Sequence, residues 1–369
     1  MGNLVLIGGG HAHAGVLFDI GKIVEQGHKV TLINPTPQHY YSGMGPGVLG
    51  GAYSPKEIRF PVKAMVTARG GTFIEDRMVS VDANTRTVHL ASGDSVNYDV
   101  LSFNAGSVIP TPEDSAEQSK DVFTVKPIQN LWIGRERIEE LLAKGPVRVA
   151  VVGGGPAALE VAGNARSVRV DNRIPEVTVF AGKKFLRNLP ERIRGMVLGN
   201  FAKRGIKVLE SGYAQKTETG KVILQSGEEH ETDVIFLALG VRPPTLFADS
   251  NLPTGPDGGL TVNRSLQCVD HPEIFGGGDC IHFADQPLDK VGVYAVRQHP
   301  VLVHNLAAQL EGRELIPFDT GGKYLLVFNL GDGTGIFVKW GLVFGGKPAF
   351  WIKDYIDRKF MSLFDADNG

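Results

Sequence analysis

Two glycine runs constrain the fold of this chain more than any other feature. Residues 8–10 and residues 153–155 are each Gly-Gly-Gly, and each run directly follows a short apolar segment. A helical pattern of apolar residues comes after each run, and a second apolar segment follows at residues 29–34 and 177–180. A strand, a tight turn, a helix and a second strand in this order are typical of half of a doubly wound α/β fold.

Both units are closed further along the chain in the same way. Residues 100–106 and residues 234–240 are apolar segments that end in glycine. A single glycine run also fits a tight turn that binds no ligand, but two runs with matching closures favour two dinucleotide-binding folds. The sequence therefore predicts an α/β protein with two Rossmann-like domains, the second inserted in the first, and a small C-terminal α+β segment.

The order of these features predicts the domain boundaries. The first domain is predicted to be discontinuous and to comprise residues 1–110 and 250–315. The second domain is predicted at residues 111–249, and residues 316–369 form the C-terminal segment.

The glycines have a chemical reason in such a turn. A pyrophosphate takes hydrogen bonds from backbone N–H groups, and a side chain on the turn would hold it away. Gly8 and Gly10 fill the first two positions of the G-x-G-x-x-G pattern, but His13 occupies the third, where a small residue lets the helix approach the sheet. The second run fills all three positions, with Gly153, Gly155 and Ala158.

The acidic residue that usually binds the adenosine ribose is missing from both units. Asn34 stands 24 residues beyond Gly10, and Ala181 stands at the corresponding place in the second unit. An asparagine still donates and accepts hydrogen bonds. Lys183 and Lys184 follow Ala181 and either tolerate the additional phosphate of NADPH or are simply solvated. NADH and NADPH therefore both remain candidate cosubstrates.

Charge and cysteine content argue against several other classes. The 38 basic and 40 acidic residues give a formal net charge of −2, so nothing favours nucleic-acid binding. Two cysteines are too few for a disulfide framework and fit a reducing compartment, so the cytoplasm is the expected location. The first strand begins almost at once, which leaves no room for a signal peptide before it. No apolar stretch reaches the ~18 residues of a membrane span, so any membrane contact is expected to be peripheral.

A third glycine-rich segment bears on which nucleotide the first domain binds. Residues 274–280 read Ile-Phe-Gly-Gly-Gly-Asp-Cys, an apolar strand that ends in glycines and Asp279. This strand end is suited to bringing a carboxylate against the ribityl hydroxyls of a flavin. A capped turn without a ligand is the alternative interpretation.

With these motifs in this order, the chain resembles the two-dinucleotide-binding flavoproteins of the pyridine nucleotide-disulfide oxidoreductase superfamily. The Ala-Leu-Gly-Val-Arg-Pro segment at residues 238–243 belongs to the same pattern. Residues 290–298, Lys-Val-Gly-Val-Tyr-Ala-Val-Arg-Gln, are similar to the branch of type II NADH dehydrogenases and sulfide:quinone oxidoreductases, most of all to its NADH-dehydrogenase-like members. The resemblance covers essentially the whole chain and is more specific for FAD than for a substrate.

The resemblance implies FAD in the first domain and NADH or NADPH at the second. It also implies a helix that begins near Gly292 and directs its positive end at the flavin. The implied FAD-binding residues are Gly8, Gly10, His11, Asn34, Val79, Ala105, Gly106, Asp279, Gly292 and Val293. The implied nicotinamide-binding residues are Gly153, Gly155, Ala158 and Gly240.

Three residues are candidates for a catalytic role, and none is assigned as an acid or base. The resemblance places Glu160 near the nicotinamide ring, although a glutamate in the first turn of a helix also simply stabilises that helix. Tyr294 and Gln298 are candidates for contact with a quinone. No metal site is expected.

Cysteine chemistry is not expected. Disulfide reductases of this fold need a cysteine pair soon after the first ribose-binding strand, and residues 34–61 contain none. The sulfide:quinone oxidoreductases need at least two cysteines, one of them near the C-terminus, but no cysteine follows Cys280. Cys268 is expected to be a buried structural thiol.

Together these features predict an FAD-dependent oxidoreductase that passes electrons from NAD(P)H through the flavin to a quinone-type acceptor. Two alternatives stay open: a flavoprotein that oxidises sulfide or another non-nicotinamide donor, and a non-enzymatic flavin-based redox sensor or assembly partner. The C-terminal helix is predicted to carry one apolar stripe, which contacts a membrane surface, the protein body or the second subunit of a homodimer. The stripe comprises Trp351, Ile352, Tyr355, Ile356, Phe360, Leu363 and Phe364.

Overall fold

The computed structural model of the chain describes residues 1–110 and 120–367. The predicted boundary at residue 111 and the last two residues of the predicted C-terminal segment, 368 and 369, lie outside the described residues. The strands are β1 Asn3–Ile7, β2 Lys29–Asn34, β3 His39–Tyr40, β4 Arg59–Phe60, β5 Thr72–Glu75, β6 Met78–Asp82, β7 Thr87–Leu90, β8 Ser95–Asn97, β9 Val100–Phe103, β10 Val122–Thr124, β11 Arg148–Val152, β12 Glu176–Phe180, β13 Lys207–Leu209, β14 Ala214–Glu218, β15 Lys221–Leu224, β16 Glu229–Glu231, β17 Val234–Leu237, β18 Leu260–Val262, β19 Ile274–Gly276, β20 Ile281–Phe283, β21 Leu326–Asn329, β22 Gly335–Lys339 and β23 Leu342–Gly346. The α-helices are α1 His11–Glu25, α2 Gly45–Gly50, α3 Val62–Thr67, α4 Gln129–Lys144, α5 Pro156–Ala165, α6 Glu191–Arg204, α7 Leu246–Asp249, α8 Gly292–Glu311 and α9 Lys347–Met361. Short 3-10 helices span Pro55–Ile58, Gly278–Cys280 and Ser362–Asp367.

Five parallel strands form the first sheet, in the order β19-β9-β1-β2-β5. All of β9 and the last four residues of β1 are buried, as expected for a parallel sheet that is covered on both faces. Strand β19 follows the whole second sheet in the chain, yet it pairs with β9 in the first sheet. The second fold is therefore inserted in the first, and the predicted fold class is confirmed. The exact residue boundaries of the domains stay a prediction.

The second sheet repeats this arrangement, with parallel strands in the order β10-β17-β11-β12-β13. In both sheets the strand order reverses beside the strand that precedes a glycine run, because β1 lies between β2 and β9 and β11 lies between β12 and β17. Doubly wound sheets bind their ligands at the carboxyl ends of the strands at such a switch point. The fold therefore places both glycine runs where a nucleotide is expected to bind.

Helices α1 and α8 of the first domain pack closely against each other. A Cβ atom at Gly15 would overlap the imidazole of His299 on α8, so only a glycine permits this approach. The third position of the glycine pattern, where a small residue would let the helix approach the sheet, holds His13. Gly15 serves a different contact, the approach of α1 to α8.

The C-terminal segment is an antiparallel sheet of β21, β22 and β23 against which α9 packs. Its first turn is fixed to the second domain. Arg204 donates hydrogen bonds to the carbonyl oxygens of Leu330 at 2.5 Å and Gly163 at 2.7 Å. Because Gly163 lies on α5, the C-terminal segment reaches the helix that follows the second glycine run.

Helix α9 does not present the single apolar stripe that the sequence predicts. Its exposed side chains include Trp351, Tyr355 and Ile356, and Leu363 beyond it is also exposed. Its buried residues are Ala349, Lys353, Asp357 and Met361. The prediction is wrong because the protein body offers hydrogen-bond partners to Lys353 and Asp357, and burying these two side chains turns the aromatic residues Trp351 and Tyr355 outwards.

Candidate active site

A cavity of about 730 Å³ opens at the carboxyl ends of β1 and β9. We call it the larger cavity, and its volume is typical of a site for a cofactor-sized ligand. Its wall contains most of the residues that the sequence predicted for one nucleotide. These residues are Gly8, Gly10, His11, Asn34, Ala105, Gly106, Asp279 and Gly292.

Two further predicted residues lie beside this cavity. Met78 belongs to the cavity wall, whereas its neighbour Val79 has a half-exposed side chain. Val293 follows the wall residue Gly292 in the first turn of α8. Asp76 and Arg77, which the sequence reasoning did not single out, line the same end of the cavity as Asn34.

Asn104 holds the first glycine turn in place. Its Oδ1 accepts the backbone N–H of Ala12 at 3.0 Å and of His13 at 3.3 Å, and its Nδ2 donates to the Gly277 carbonyl at 2.6 Å. A Cβ atom at Gly10 would overlap the Asn104 side chain. Gly8 has φ +83°, and a Cβ atom there would lie 2.5 Å from the Asn104 carbonyl oxygen. The glycines are therefore required by the packing of the turn itself as well as by any bound phosphate.

His13 is a structural residue of this turn. Its ring is fully buried and forms hydrogen bonds with the Gly8 carbonyl at 2.6 Å and with the Ser102 hydroxyl at 2.8 Å. Because the Gly8 carbonyl only accepts, Nδ1 carries the proton and Nε2 accepts from Ser102. Burial lowers the pKa of His13 to about 4, although the Gly8 hydrogen bond opposes this shift. The neutral ring thus ties the turn to strand β9.

Asn34 also has a structural role. Its Oδ1 accepts the N–H of Gly9 at 2.8 Å and its Nδ2 donates to the Thr36 carbonyl at 2.7 Å. A primary amide has two N–H groups and two lone pairs, so one donor and one acceptor remain for a ligand hydroxyl. The residue is therefore able to fill both the predicted ribose-binding role and this structural role.

Asp279 meets Lys126 and Ser107 at the other end of the larger cavity. Asp279 Oδ2 accepts hydrogen bonds from Lys126 Nζ at 3.0 Å and from Ser107 Oγ at 2.9 Å. Burial opposes ionisation of Asp279, but the charge and hydrogen bond of Lys126 outweigh it and hold the pKa of the carboxyl below its usual value. Asp279 is thus an anion in a largely buried position.

Sequence reasoning missed Lys126. It precedes Pro127 in the connection to α4, in the inserted part of the chain, and reaches the first domain's site only through the fold. Its one local signal is the Lys-Pro pair after a short strand, which is a common feature of loops.

The three catalytic candidates occupy different surroundings. Gln298 is fully buried, and its Oε1 accepts the N–H of Gly278 at 2.6 Å, so it positions the loop that carries Asp279. Tyr294 packs edge-on against Tyr324, with ring centroids 5.6 Å apart. The structure brings neither of the two to Glu160, which lies on α5 in the second domain.

Glu160 joins a group of charged residues between α5 and the C-terminal segment. Its Oε1 accepts the N–H of Asn329 at 2.8 Å, and Lys353 and Asp357 on α9 act on its charge. Burial raises the pKa of Glu160, against the attraction of Lys353. Asp357 pairs with Lys353 at 2.6 Å, accepts the Tyr41 hydroxyl at 3.1 Å, and has its pKa raised by burial. We call Glu160, Tyr41, Lys353 and Asp357 the acid cluster.

The second glycine turn has an open surface. Gly153 has φ +148° and faces the Ala238 carbonyl too closely for a side chain, while Ala158 is fully buried against the second sheet. Among the described residues, a Cβ atom at Gly155 or at Gly240 would meet no atom within 4 Å. The space over these two glycines is therefore available to a ligand, and the four predicted residues lie at the carboxyl ends of the neighbouring strands β11 and β17.

A second, smaller cavity of about 330 Å³ lies between α1, α8 and the C-terminal helices. Its wall is made of apolar side chains and two histidines. The wall residues are His11, Gly15, Phe18, Val296, His299, Phe360, Leu363 and Phe364. His11 also lines the larger cavity, so the two cavities share this residue.

Two dinucleotide-type turns on two parallel sheets, with a buried carboxylate at the switch point of the first, define a dinucleotide-binding protein. The chain belongs to the pyridine nucleotide-disulphide oxidoreductase family, whose model matches residues 2–309. The predicted superfamily is thereby confirmed.

Curated relatives share less than a third of their residues with this chain. A type II NADH:quinone oxidoreductase of Staphylococcus saprophyticus is 22% identical over an alignment 391 residues long, gaps included. The alignment covers 96% of this chain and 94% of that protein. The nitrite reductase (NADH) large subunit of Escherichia coli K12 is 27% identical over 215 residues, or 56% of this chain. The chain spans 24% of that subunit and 53% of a matching NADH oxidase of Methanocaldococcus jannaschii.

Solved structures share the fold over almost the whole chain. NDH2 from Plasmodium falciparum, solved in complex with NADH, has a TM-score of 0.81 at 16% identity and covers 99% of this chain and 97% of its own. The sulfide:quinone oxidoreductase of Aquifex aeolicus has a TM-score of 0.77 at 18% identity. The match covers 100% of this chain and 92% of that structure's chain. At these identities the likeness shows the fold.

Proposed function

We propose that this chain is an FAD-dependent oxidoreductase that oxidises NADH or NADPH and reduces a quinone-type acceptor. One observation carries the proposal: a nucleotide-type cavity with a buried carboxylate at one end shares a wall residue, His11, with a separate apolar cavity. A flavin in the first cavity is then adjacent to an apolar acceptor in the second.

The residues of the larger cavity fit FAD. The N–H groups of Gly8, Gly9, Ala12 and His13 already have acceptors within the protein, so those of Gly10 and His11 are the ones offered to a diphosphate. Asn34 retains a donor and an acceptor for the ribose. Asp279 uses Oδ2 for both of its protein contacts among the described residues, which leaves Oδ1 for a hydroxyl of the ribityl chain. At Gly106, φ is +70° and no atom of the described residues lies within 4 Å of a Cβ position, so the strand end leaves room for the cofactor.

FAD supplies the redox chemistry, because it accepts two electrons from a nicotinamide and passes them on. The protein contributes orientation and charge. Helix α8 is 20 residues long and begins at Gly292 in the cavity wall, so its positive end faces the ligand and favours negative charge there. Lys126 adds a second positive charge at the same end.

The second glycine turn is the proposed donor site. Its open glycines Gly155 and Gly240 leave the approach that a pyrophosphate needs. Similar proteins named for NADH, including the type II NADH:quinone oxidoreductase and the nitrite reductase subunit, support a nicotinamide donor. The end of β12 carries Ala181 and no acid, so NADPH is as compatible as NADH with this site.

The smaller cavity favours a quinone-type acceptor, and the two cysteines argue against sulfide as the donor. Burial raises the pKa of Cys280 to about 11 and also raises that of Cys268, so neither thiol readily forms the thiolate that would carry sulfur.

The exposed aromatic residues Trp351 and Tyr355 with Lys359 suit the interface of a lipid bilayer, from which an apolar acceptor can enter. No helix in the described part of the chain is long and apolar enough to cross a membrane. We therefore propose a peripheral contact with the cytoplasmic face of the membrane.

Reduction of a quinone to a quinol consumes two protons, and the acid cluster is a suitable source. Burial raises the pKa of Glu160, so this carboxyl holds a proton more readily than in water, whereas Asp357 forms the ion pair with Lys353. Lys353 Nζ donates to the Gly43 carbonyl at 2.8 Å and links the cluster to the loop between β3 and α2. That loop also contributes Ser42 to the wall of the larger cavity.

An anaerobic stopped-flow titration tests the proposal. Purified holoprotein is mixed in turn with NADH, NADPH and sulfide while the flavin absorbance is followed, and then with a soluble quinone. The proposal expects rapid bleaching by a nicotinamide and reoxidation by the quinone. Bleaching by sulfide alone would contradict it in favour of a sulfide-oxidising flavoprotein, and no bleaching by any donor would favour a redox sensor.

A matched pair of variants locates the donor. Gly155→Val adds a side chain that meets no protein atom within 4 Å at its Cβ but blocks the proposed pyrophosphate position. Gly195→Val adds the same side chain on α6, where the Cβ position is equally open. Bleaching by the nicotinamide should slow by at least about tenfold in Gly155→Val alone. Excluding the diphosphate from its site removes more binding free energy than the loss of a single hydrogen bond does.

A further inference from the structure

The carboxylate of Asp279 and the ammonium group of Lys126 come from different sheets. Asp279 follows β19 of the first sheet, whereas Lys126 lies two residues beyond the end of β10 in the second sheet. Their side chains meet in the wall of the larger cavity, with 3.0 Å between Nζ and Oδ2. The inserted fold therefore supplies a charged group to the nucleotide site of the first fold.

The backbone of Lys126 is held by the second sheet. Val125, the residue before it, donates its N–H to the Leu237 carbonyl on β17 at 3.2 Å. The hydroxyl of Thr124, the last residue of β10, donates to the Lys126 carbonyl at 2.6 Å. The main chain at Lys126 is thus fixed to one sheet while its side chain contacts the other.

Lys126 is the cation that balances Asp279 among the described residues. The hydroxyl of Ser107 accepts from Lys126 at 2.6 Å and donates to Asp279 at 2.9 Å, but it carries no charge. His11 also acts on the charge of Asp279, yet burial lowers the pKa of His11 to about 4, so this ring is neutral at pH 7. Without Lys126, Asp279 would be an uncompensated anion in the cavity wall.

The charges of this pair act on other residues of the cavity wall. His11 and His39 both line the larger cavity. Burial is the main cause of the low pKa of each ring, and the charge of Lys126 lowers both pKa values further. A charge that appears on a ligand in this cavity would therefore respond to the loss of either member of the pair.

Reduction places such a charge on a flavin. A hydride brings two electrons and one proton, so the reduced ring carries one more negative charge than the oxidised ring. At an effective dielectric constant of about 20, two unit charges within about 12 Å of each other shift an equilibrium by at least about tenfold. An unpaired carboxylate would oppose reduction by this amount, whereas a carboxylate paired with a lysine adds no net charge.

We propose that Lys126 is a positioning residue for the redox reaction, and that it balances the charge of Asp279 so that this carboxylate binds the ribityl chain without opposing reduction of the flavin. The inference rests on the FAD of the proposed function and needs neither the nicotinamide nor the quinone.

The reduction potential of bound FAD tests the role of Lys126. Each variant is saturated with FAD and reduced slowly by a chemical reductant in equilibrium with a dye of known potential. Lys126→Met removes the cation and keeps an unbranched side chain, and Asp279→Asn removes the anion and keeps an oxygen that accepts from a hydroxyl. A double variant removes both charges. Lys144→Met, which breaks an exposed ion pair on α4, is the control.

We expect the potential to fall by at least about 30 mV in Lys126→Met, which is a tenfold change in the equilibrium constant of a two-electron couple. It should rise in Asp279→Asn, and in the double variant the equilibrium constant should return to within about twofold of the wild type. Lys144→Met should leave it unchanged. An unchanged potential in Lys126→Met, or the same fall in Lys126→Met and in the double variant, would overturn the inference.

Asp279→Asn decides the question if Lys126→Met does not fold or binds no FAD. Lys126 is then an unbalanced cation, so the potential must lie above that of the wild type. A potential equal to or below the wild-type value would overturn the inference.

Failure of the proposed function would look different. The potential is measured with a chemical reductant, so it is obtained even if neither NADH nor NADPH bleaches the flavin. The proposed donor would then fail in the stopped-flow titration, while opposite shifts in Lys126→Met and Asp279→Asn would still support the role of Lys126.

Discussion

Lys353 and Asp357 form an ion pair on the buried face of α9, with 2.6 Å between Nζ and Oδ2. Their side chains are only 9% and 6% exposed. The pair lies one helical turn apart and is completed by the Gly43 carbonyl and the Tyr41 hydroxyl. It therefore connects the C-terminal helix to the loop that borders the larger cavity.

Removing one member of this pair should destabilise the protein. Lys353→Met leaves Asp357 buried without its cation, which typically costs about 3–5 kcal/mol of unfolding free energy, less whatever Asp357 recovers by taking up a proton. Lys144→Met breaks the Glu140–Lys144 pair, which has the same spacing on α4 but exposed side chains, and should cost under about 1 kcal/mol. Urea unfolding of both variants measures the difference, and equal costs would show that the buried pair contributes little.

The buried histidines predict a loss of stability in mild acid. The pKa values of His11 and His13 are lowered to about 4 and that of His39 to about 3, in each case chiefly by burial. Between about pH 6.5 and pH 4 the unfolded chain binds more protons than the folded one, so the unfolding free energy falls as the pH falls. Each histidine contributes a slope of at most about 1.4 kcal/mol per pH unit.

His39→Phe isolates one of these contributions. The substitution keeps an aromatic ring against Phe60, which stacks on His39 at 5.9 Å, and removes the titrating group. Urea unfolding at pH 7.5, 6.5 and 5.5 should give a flatter slope for His39→Phe than for the wild type. A slope for His39→Phe as steep as that of the wild type would exclude the predicted contribution.

The contact between α1 and α8 predicts opposite effects for two glycines of one helix. Gly15→Ala drives a Cβ atom into His299 and should destabilise the protein by about 1–3 kcal/mol. At Gly21, also on α1, a Cβ atom meets only Arg69 Cβ at 3.9 Å, so Gly21→Ala should stabilise the protein by about 0.5–1 kcal/mol. Thermal unfolding of the two variants checks the signs, and two changes of the same sign would refute the packing argument.

The exposed face of α9 predicts binding to lipid. Trp351 and Tyr355 are 63% and 65% exposed, so replacing both by serine should leave the fold intact and weaken sedimentation with anionic phospholipid vesicles. Tyr213→Ser in the second domain, where the tyrosine is also exposed, is the control. If vesicle binding is unchanged and light scattering shows a dimer that dissociates in the double variant, this face is a subunit interface.

Features set by backbone geometry could be predicted from the sequence. The glycine runs and the strand ends at Gly106 and Gly240 each follow from a local requirement for a turn or a close approach, whereas the start of α8 at Gly292 was implied by the family resemblance. The role of His13 could not be predicted, because its hydrogen bond to Ser102 joins residues that lie 89 positions apart.

The charged groups of the site were the least predictable. Lys126 contacts Asp279 across 153 positions of the chain, and no local sequence feature near either residue predicts this contact. Lys353 and Asp357 lie on the buried face of α9, although charged residues usually lie on the solvent side of a helix, because the fold supplies them with buried partners. The orientation of an amphipathic helix depends on such partners as much as on its own pattern.

The most direct test of the account is a titration of the purified chain with FAD, followed by flavin fluorescence and absorbance. The account predicts one FAD per chain, and an affinity that falls by at least about tenfold in Asp279→Leu, which removes a charged hydrogen-bond acceptor, but not in Asp285→Leu on the nearby loop. A correctly folded protein that binds no FAD, or an Asp279→Leu variant that binds it as tightly as the wild type, would contradict the account.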